Sequence, residues 1–407
     1  MNKNIILYAD KSKCCGCGAC ANICSKGAIT MKTDEYGFVY PEINDEKCVG
    51  CGACKKICAY QSENSEKSVT SAFVAAAKDE QILKQSASGG VFSSVAVEFL
   101  KNGGIVYGCS LEHRDGTLFP EHIRIESIDD LHKLQGSKYV QSNMESIFKK
   151  VCEDLKSGRE VLFSGTPCQV DSLKKFTAGT DRSRLFTIDL ICHGTPSRKF
   201  FQDYLAFFEK KHKCKVVAFL FRDKTYGWGH MMGRITYVNK NGKTKCKPVY
   251  QSLSAYYKLF LNSTVYRDCC YSCKYANMQR VGDLTIGDFW GIKKAHPNVL
   301  SSNGGDFDEN KGISCILVNS QKGQILLDKC GISLKKYQSS PQNVMAENGQ
   351  LKHPSKKPES RSQVLELYRT GGFESVDSWF NKKLGIKRYI SPMRAVLRRF
   401  KKRYLSR

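Results

Sequence analysis

The chain has 407 residues, of which 41% are hydrophobic, and its 64 Lys and Arg outnumber 39 Asp and Glu to give a formal net charge of +25. This hydrophobic content is enough for a buried core in two or three domains and excludes a disordered chain. No apolar run approaches the roughly 18 residues of a membrane span. The apolar stretch near the N-terminus is too short for a secretory signal. We therefore expect a cytoplasmic protein whose 20 cysteines serve metal or redox chemistry, because a reducing cytosol does not maintain disulfides.

Eight cysteines near the N-terminus form two copies of one ladder, with the spacing C-x-x-C-x-x-C-x-x-x-C. The ladders are Cys14, Cys17, Cys20 and Cys24, then Cys48, Cys51, Cys54 and Cys58. In such ladders three closely spaced thiolates hold one 4Fe-4S cluster, and the fourth cysteine reaches the other cluster. The pattern resembles the bacterial two-cluster ferredoxin module over about residues 5–60.

The exchange of the fourth cysteine predicts two ligand sets. The first cluster is expected on Cys14, Cys17, Cys20 and Cys58, and the second on Cys48, Cys51, Cys54 and Cys24. A zinc site is the alternative, but zinc sites pair C-x-x-C knuckles and do not need a doubled four-cysteine ladder. Cys15 is out of register and is predicted not to be a ligand. The proline that usually follows the fourth cysteine is replaced by Ser25 and Ala59.

After a polar linker at 61–70, short apolar runs alternate with helical stretches. Strands are predicted at 72–77, 105–109, 160–163, 185–192 and 215–221. Helices are predicted after Ser88-Gly89-Gly90, from a capping box at Ser142 and Glu145 to about Lys156, after Gly165, and at 197–211. This alternation predicts an α/β core. The expected fold class is therefore a ferredoxin-like domain followed by an α/β core with an irregular C-terminal part.

Four cysteines farther along the chain, Cys168, Cys192, Cys270 and Cys273, form a second constellation. Cys168 and Cys192 each follow a predicted strand, and side chains at such positions converge at the carboxyl edge of an α/β sheet. Cys270 and Cys273 make a bidentate C-x-x-C metal knuckle. The four can hold a third 4Fe-4S cluster, and the alternative is a set of buried structural thiols.

The C-terminal region is strongly basic, with 16 Lys and Arg against four Asp and Glu in residues 351–407. Apolar side chains recur at helical spacing over 389–405, which predicts a basic amphipathic helix. The Pro, Ser and Lys content of 352–362 predicts a mobile tether. The helix is expected to lie on the anionic inner face of a membrane or, alternatively, to pack on the protein's own core or on an acidic partner.

Seven short motifs follow one another in the α/β region. They are 85–90, 136–142, 163–170, 192–197, 221–228, 270–277 and 280–291. On these motifs the chain resembles the beta subunit family of coenzyme F-420 hydrogenase and dehydrogenase, over about residues 71–340. The resemblance implies a flavoprotein that binds FAD beside a 4Fe-4S cluster and passes electrons between iron-sulfur centres and a deazaflavin or similar acceptor.

Candidate FAD contacts are six residues within these motifs: Ser88, Gly89, Gly90, Lys138, Arg222 and Lys224. Ser88–Gly90 begins a helix, where free N–H groups favour a pyrophosphate, and an ordinary helix cap is the alternative. The three cations can offset flavin or phosphate charge, although Lys138 also fits a solvated surface lysine. No Gly-x-Gly-x-x-Gly occurs, so a classical NAD-binding Rossmann site is not expected.

Three other polar residues have two interpretations each, and none is assigned a catalytic role. Asp283 and Asp288 either orient the flavin or a cluster loop, or cap turns. His193, beside Cys192, either relays protons or is a hydrogen-bonded core histidine.

The predicted function is that of an iron-sulfur flavoprotein oxidoreductase, which passes electrons between its clusters and FAD and then to a two-electron acceptor. That acceptor is expected to be deazaflavin-like or an intermediate of a polysaccharide pathway, and a redox donor or acceptor protein is the expected partner. A non-catalytic electron-transfer subunit of a larger complex is the alternative. Nucleic acid is not an expected partner, because no RNP-like aromatic pattern accompanies the positive charge. The expected divisions of the chain are 1–65, 71–185, 186–350 and 351–407.

Overall fold

The computed structural model describes residues 5–61 and 67–385. The strands are β1 (Ile29–Thr33), β2 (Val39–Ile43), β3 (Lys67–Ser68), β4 (Ser71–Ala77), β5 (Ile105–Arg114), β6 (Thr117–Ile125), β7 (Val161–Gly165), β8 (Leu185–Leu190), β9 (Cys214–Leu220), β10 (Met232–Asn239), β11 (Thr244–Tyr250), β12 (Gln279–Arg280), β13 (Leu284–Asp288), β14 (Ser314–Val318) and β15 (Leu334–Ser339).

The helices are α1 (Ala19–Ile23), α2 (Ala53–Lys56), α3 (Glu80–Gln85), α4 (Val91–Lys101), α5 (Leu131–Leu134), α6 (Ile147–Lys156), α7 (Pro167–Phe176), α8 (Arg198–His212), α9 (Ala255–Leu261), α10 (Ile292–Ala295), α11 (Gln321–Lys329), α12 (Pro341–Glu347) and α13 (Ser360–Leu384). The predicted amphipathic helix over 389–405 lies outside the described residues. In the described part of the chain, no helix has the length and apolar content needed to cross a bilayer.

The N-terminal region repeats one small unit, in which a cysteine-rich turn leads into a short helix. Helices α1 and α2 each begin directly after a glycine, Gly18 (φ +78°) and Gly52 (φ +73°). Both glycines have left-handed backbone conformations that other residues adopt only at a cost. Strands β1 and β2 pair antiparallel between the two units.

An eight-stranded mixed sheet organises the rest of the chain, in the order β15-β4-β14-β13-β8-β7-β5-β6. Four consecutive strands of this sheet, β13, β8, β7 and β5, run parallel to one another. Their carboxyl ends therefore meet at one edge of the sheet, where ligand sites of α/β folds form. This sheet confirms the predicted fold class. The four-part division of the chain stays a prediction, and residues 71–185 and 186–350 both supply strands to this sheet.

A smaller antiparallel sheet, β11-β10-β9, packs with α8, α9 and α13 around an aromatic core. Phe373 is in ring contact with both Phe200 and Tyr204 there, which joins α13 to α8. The prediction of a mobile tether at 352–362 is wrong. Ser355 donates to the His193 carbonyl at 2.7 Å, and the buried Arg361 donates to the Tyr266 carbonyl at 3.0 Å.

One predicted helix start is also wrong. Helix α6 begins at Ile147 and not at the expected capping box of Ser142 and Glu145. The Ser142 hydroxyl instead donates to His122 at 2.9 Å and accepts from Gln169 at 2.9 Å. A capping box does occur at the start of α7, between Thr166 and Gln169.

Candidate metal centres

The first group of cysteines takes three members from the first ladder and one from the second. Cys14, Cys17, Cys20 and Cys58 interact electrostatically with one another. All four line one cavity, which apolar side chains such as Leu7, Met31 and Pro41 complete. The structure thus places Cys58 beside the first ladder, as the sequence predicts.

The second group lies nearer the surface. Cys54 interacts with Cys48 and Cys51, and Cys24 packs in the same apolar cluster as Cys54. Cys51 is exposed, and its neighbour Val49 is 59% exposed. One face of this group is therefore open to solvent.

The sulfur atoms of both groups accept hydrogen bonds from backbone N–H groups. Gly16 donates to Cys14, Tyr60 to Cys58, and Ala28 to Cys24, the last at 3.3 Å. Such bonds favour the thiolate, which is the form that binds metal. Four thiols around a cavity with these donors fit a 4Fe-4S cluster.

Burial opposes ionisation of the same thiols when no metal is bound. It raises the pKa of Cys14 to about 11 and also raises the pKa of Cys20 and Cys54. A bound cluster supplies the positive charge that keeps buried sulfurs deprotonated. Among the described residues, no three His, Cys, Asp or Glu side chains converge closely enough to hold a single metal ion.

The third group forms at the carboxyl edge of the large sheet. Cys168 lies in the first turn of α7 after β7, and Cys192 lies two residues beyond β8. Cys270 and Cys273 lie within and directly after a 3-10 helix at Asp268–Ser272. Cys192 interacts electrostatically with the other three sulfurs, so residues dispersed over more than 100 positions of the sequence come together.

Two cysteines that are not predicted to be ligands contact cysteines that are predicted to be ligands. The Cys15 thiol hydrogen-bonds to both Cys17 and Cys168, and the Cys269 thiol hydrogen-bonds to Cys270. These bonds lower the pKa of Cys17 to about 6 and that of Cys270 to about 7. Because Cys15 reaches one sulfur of the first group and one of the third, the two groups are neighbours.

Buried arginines hold the loop that carries Cys273. Arg280 pairs with Asp189 at 2.7 Å and donates to the carbonyls of Tyr275 at 2.9 Å and Asn277 at 3.2 Å. Arg361 of α13 binds Asp268 at 3.1 Å from the other side. Sequence reasoning missed these residues because nothing in their local pattern relates them to cysteines.

Most of the predicted FAD contacts lie along the same edge of the large sheet. Lys224 donates to the Ser88 carbonyl at 2.9 Å, immediately before the glycines that precede α4. Gln135, near Lys138, donates to Ser93 in the first turn of α4 at 3.3 Å. The structure therefore joins Ser88–Gly90, Lys224 and the loop of Lys138 through direct hydrogen bonds.

The side chain of Lys138 is half-buried. It donates to the carbonyls of Lys133 and Gln135, and burial lowers its pKa to about 8. Burial lowers the pKa of Lys224 to about 8 as well. Lys138 is therefore a half-buried, hydrogen-bonded lysine, and its role toward FAD stays a prediction.

Arg222 lies at the centre of a polar and aromatic group. Its guanidinium donates to Asp288 at 3.1 Å and to the Tyr139 hydroxyl at 3.3 Å, and Asp288 accepts from the Trp228 indole at 2.7 Å. The Arg222 Nε is buried without a partner in the described part of the chain. Such an atom is expected to find an acceptor on a bound molecule.

The other polar candidates lie elsewhere. Asp283 accepts from Thr187 and Ser320 near the start of β13, away from Asp288 at the end of the same strand. Burial lowers the pKa of His193, whose carbonyl accepts from Ser355.

The close contact between the first cysteine loop and the core predicts that a methyl group added at Gly16 will strongly destabilise the fold. Gly16 has φ +65°, and a Cβ there would lie 2.5 Å from Arg267 Nη2 and 2.7 Å from the Val39 carbonyl oxygen. We expect Gly16→Ala to reduce the free energy of unfolding by roughly 3 kcal/mol, from backbone strain and overpacking together. Gly52→Ala is the matched control, because φ is +73° and nothing lies within 4 Å. Equal losses in anaerobic urea unfolding would contradict the predicted clash.

Family models match three parts of the chain. The coenzyme F420 hydrogenase/dehydrogenase beta subunit matches with its N-terminal model over residues 72–149 and its C-terminal model over residues 158–339. Together they cover more than half of the sequence. The chain belongs to this beta subunit family. A 4Fe-4S dicluster domain matches over residues 13–62. The chain therefore carries iron-sulfur clusters and functions in electron transfer or redox chemistry.

Solved structures also match the chain. One is a chain from the structure titled xenon derivatization of the F420-reducing [NiFe] hydrogenase complex from Methanosarcina barkeri. It is 15% identical, with a TM-score of 0.43, and the match covers 76% of this chain and 96% of that one. No curated protein matches the chain.

Proposed function

We propose that the chain is an iron-sulfur flavoprotein oxidoreductase with three 4Fe-4S clusters and FAD. Electrons would pass from the second ferredoxin cluster to the first, then to the core cluster on Cys168, Cys192, Cys270 and Cys273, and finally to the flavin. The observation that supports this route is a shared buried cluster of side chains, in which Cys17, Ile57 and Tyr60 pack with Cys168 and Cys273.

The exposure of the second cysteine group supports the proposed order of electron transfer, from the second group to the first and then to the core. The second group is open to solvent at Cys51 and Val49, so a redox protein can approach it. The first group lies between it and the core, because Cys15 touches Cys168. Electrons from a protein donor would thus enter at the second group.

The residues at the carboxyl edge of the sheet support FAD as the next carrier. A flavin takes up electrons singly and passes them on in pairs, which is the chemistry it supplies when bound. The N-terminus of α4 would bind its pyrophosphate. Lys138, Arg222 and Lys224 are buried or half-buried cations that would offset negative charge nearby.

The two-electron acceptor is proposed to be deazaflavin-like or an intermediate of a polysaccharide pathway. The family's name supports the first, since it refers to coenzyme F420. It also supports the alternative, a subunit that passes electrons to a larger hydrogenase or dehydrogenase complex without itself converting a substrate.

The test uses full-length protein prepared anaerobically, with iron, sulfide and flavin measured before kinetics. We expect about twelve irons and bound FAD, and bleaching of the flavin absorbance when reduced ferredoxin is mixed in. Cys51→Ala should lose about four irons and slow this bleaching. Cys246→Ala, at an exposed cysteine outside all three groups, should do neither.

Two outcomes would decide against parts of the proposal. Protein that binds no flavin would overturn the flavoprotein assignment. Reduced flavin that is reoxidised by a protein partner, but by neither a deazaflavin nor a polysaccharide precursor, would favour the electron-transfer subunit.

A further inference from the structure

Arg267 lies between the two cysteine loops that meet at the junction of the ferredoxin region and the core. Its side chain is among the largest that are fully buried, and the residue is 1% exposed. Its backbone belongs to the core, because its N–H donates to the Thr195 carbonyl and its carbonyl accepts from the Cys270 N–H, both at 3.0 Å. The residue therefore moves with the loop that carries Cys270.

The guanidinium of Arg267 reaches across the junction to the ferredoxin region. Nη1 donates to the Cys14 carbonyl at 3.2 Å, and Nη2 donates to the Val39 carbonyl at 2.7 Å. Nε donates to the side-chain oxygen of Gln141 at 3.1 Å. Gln141 in turn donates to the Cys15 carbonyl at 2.9 Å, so two side chains of the core hold the first cysteine loop by its backbone.

The charge of Arg267 has no carboxylate partner within residues 5–61 and 67–385. Its neighbours are carbonyl oxygens and the ring faces of Tyr40 and Phe38, at 4.4 and 5.4 Å from the guanidinium carbon. A buried charge without a counter-ion is costly. The guanidinium interacts electrostatically with the Tyr40 hydroxyl and with the sulfurs of Cys269 and Cys14, one on each of the two loops.

We propose that Arg267 is a positioning residue for electron transfer between the first ferredoxin cluster and the core cluster. Its three donors fix the two loops against each other, and its buried charge raises the reduction potentials of both clusters relative to the second ferredoxin cluster. Net charge near a cluster is one of the factors that set its potential. In the transfer one cluster loses an electron and the other gains it, without a bond being made or broken, and a low-potential one-electron donor supplies the electron.

The test measures potentials and not turnover. Full-length holoprotein and Arg267→Met are titrated anaerobically with dithionite, and each cluster is followed by electron paramagnetic resonance. We expect the equilibrium for sharing an electron between the first and second ferredoxin clusters to shift at least tenfold toward the second, which is about 59 mV for a one-electron couple. The second cluster is an internal reference, since Arg267 contacts none of its four cysteines.

Arg267→Lys separates charge from geometry. A lysine keeps the charge but cannot donate in the three fixed directions of the guanidinium. We expect its potentials to stay close to those of the wild type, while the magnetic coupling between the first and core clusters changes. A purely structural role would leave the potential difference unchanged in both variants and would overturn the inference.

Gln141→Glu provides the same test if Arg267→Met does not fold. The carboxylate can still accept from Arg267 and would partly neutralise its charge, although it gives up the hydrogen bond to the Cys15 carbonyl. The first cluster should again become harder to reduce than in the wild type. An unchanged potential would overturn the inference.

The inference rests in part on the core cluster of the proposed function, but the two can fail separately. Wild-type protein with only two clusters would refute the core cluster. The difference between the two ferredoxin clusters would still decide the role of Arg267.

Discussion

Asp189→Asn is expected to reduce the free energy of unfolding by about 3–5 kcal/mol, because it leaves the buried Arg280 without its counter-ion. Asp189 is fully buried and Arg280 is 2% exposed. Both carboxylate oxygens face donors: one accepts from Arg280 and Thr285, and the other from the N–H groups of Val281 and Gly282. An amide in either orientation therefore places its NH₂ group against another donor. Anaerobic urea unfolding measures the loss.

The same substitution should also affect the core cluster. Arg280 holds the carbonyls of Tyr275 and Asn277, which follow Cys273 closely in the chain. Release of this loop should lower the core iron content while the iron of the ferredoxin region is retained. Glu366→Gln, at an exposed pair with Arg369, is the control and should leave both stability and iron almost unchanged. Similar stabilities of the two variants would show that the buried pair is not needed.

The grouping of the ferredoxin cysteines could be predicted because it depends on local spacing. Three cysteines at three-residue intervals must lie in one turn, and a doubled ladder places the fourth cysteine with the other copy. The structure brings Cys58 to Cys14 in this way. The convergence of Cys168 and Cys192 was also predictable, since both follow parallel strands of one sheet.

The junction with the core could not be predicted in the same way. Arg267 and Cys14 are separated by 253 positions, and no spacing rule connects an arginine to a distant carbonyl group. Cys15 was predicted only not to be a ligand, because its contact with Cys168 depends on how the two regions pack. Its offset from the ladder was the available signal.

Tertiary contacts also overrode local patterns. Ser142 and Glu145 fit a capping box, but the Ser142 hydroxyl is hydrogen-bonded to His122 and Gln169. The composition of 352–362 is typical of a tether, yet Arg361 there is buried against the core. A sequence does not show which polar groups will be buried and need partners.

Cys168→Ala is expected to remove about four of roughly twelve irons, those of the core cluster, while both ferredoxin clusters stay. The loss would separate the ferredoxin region from the flavin, so reduced ferredoxin should still reduce the two remaining clusters but bleach the flavin far more slowly. Iron analysis, electron paramagnetic resonance and rapid-mixing absorbance measure the three effects.

The matched controls are two cysteines that are not predicted ligands but touch the proposed ligands. Cys15→Ala and Cys269→Ala each remove a buried thiol beside a proposed ligand, and both should retain all the iron. Because each of these thiols donates to a ligand sulfur, its removal should alter that cluster's potential without releasing the cluster. If Cys269→Ala lost the core iron and Cys270→Ala kept it, the ligand would be Cys269. Tight binding of zinc, without iron-sulfur absorbance, would instead refute the core cluster itself.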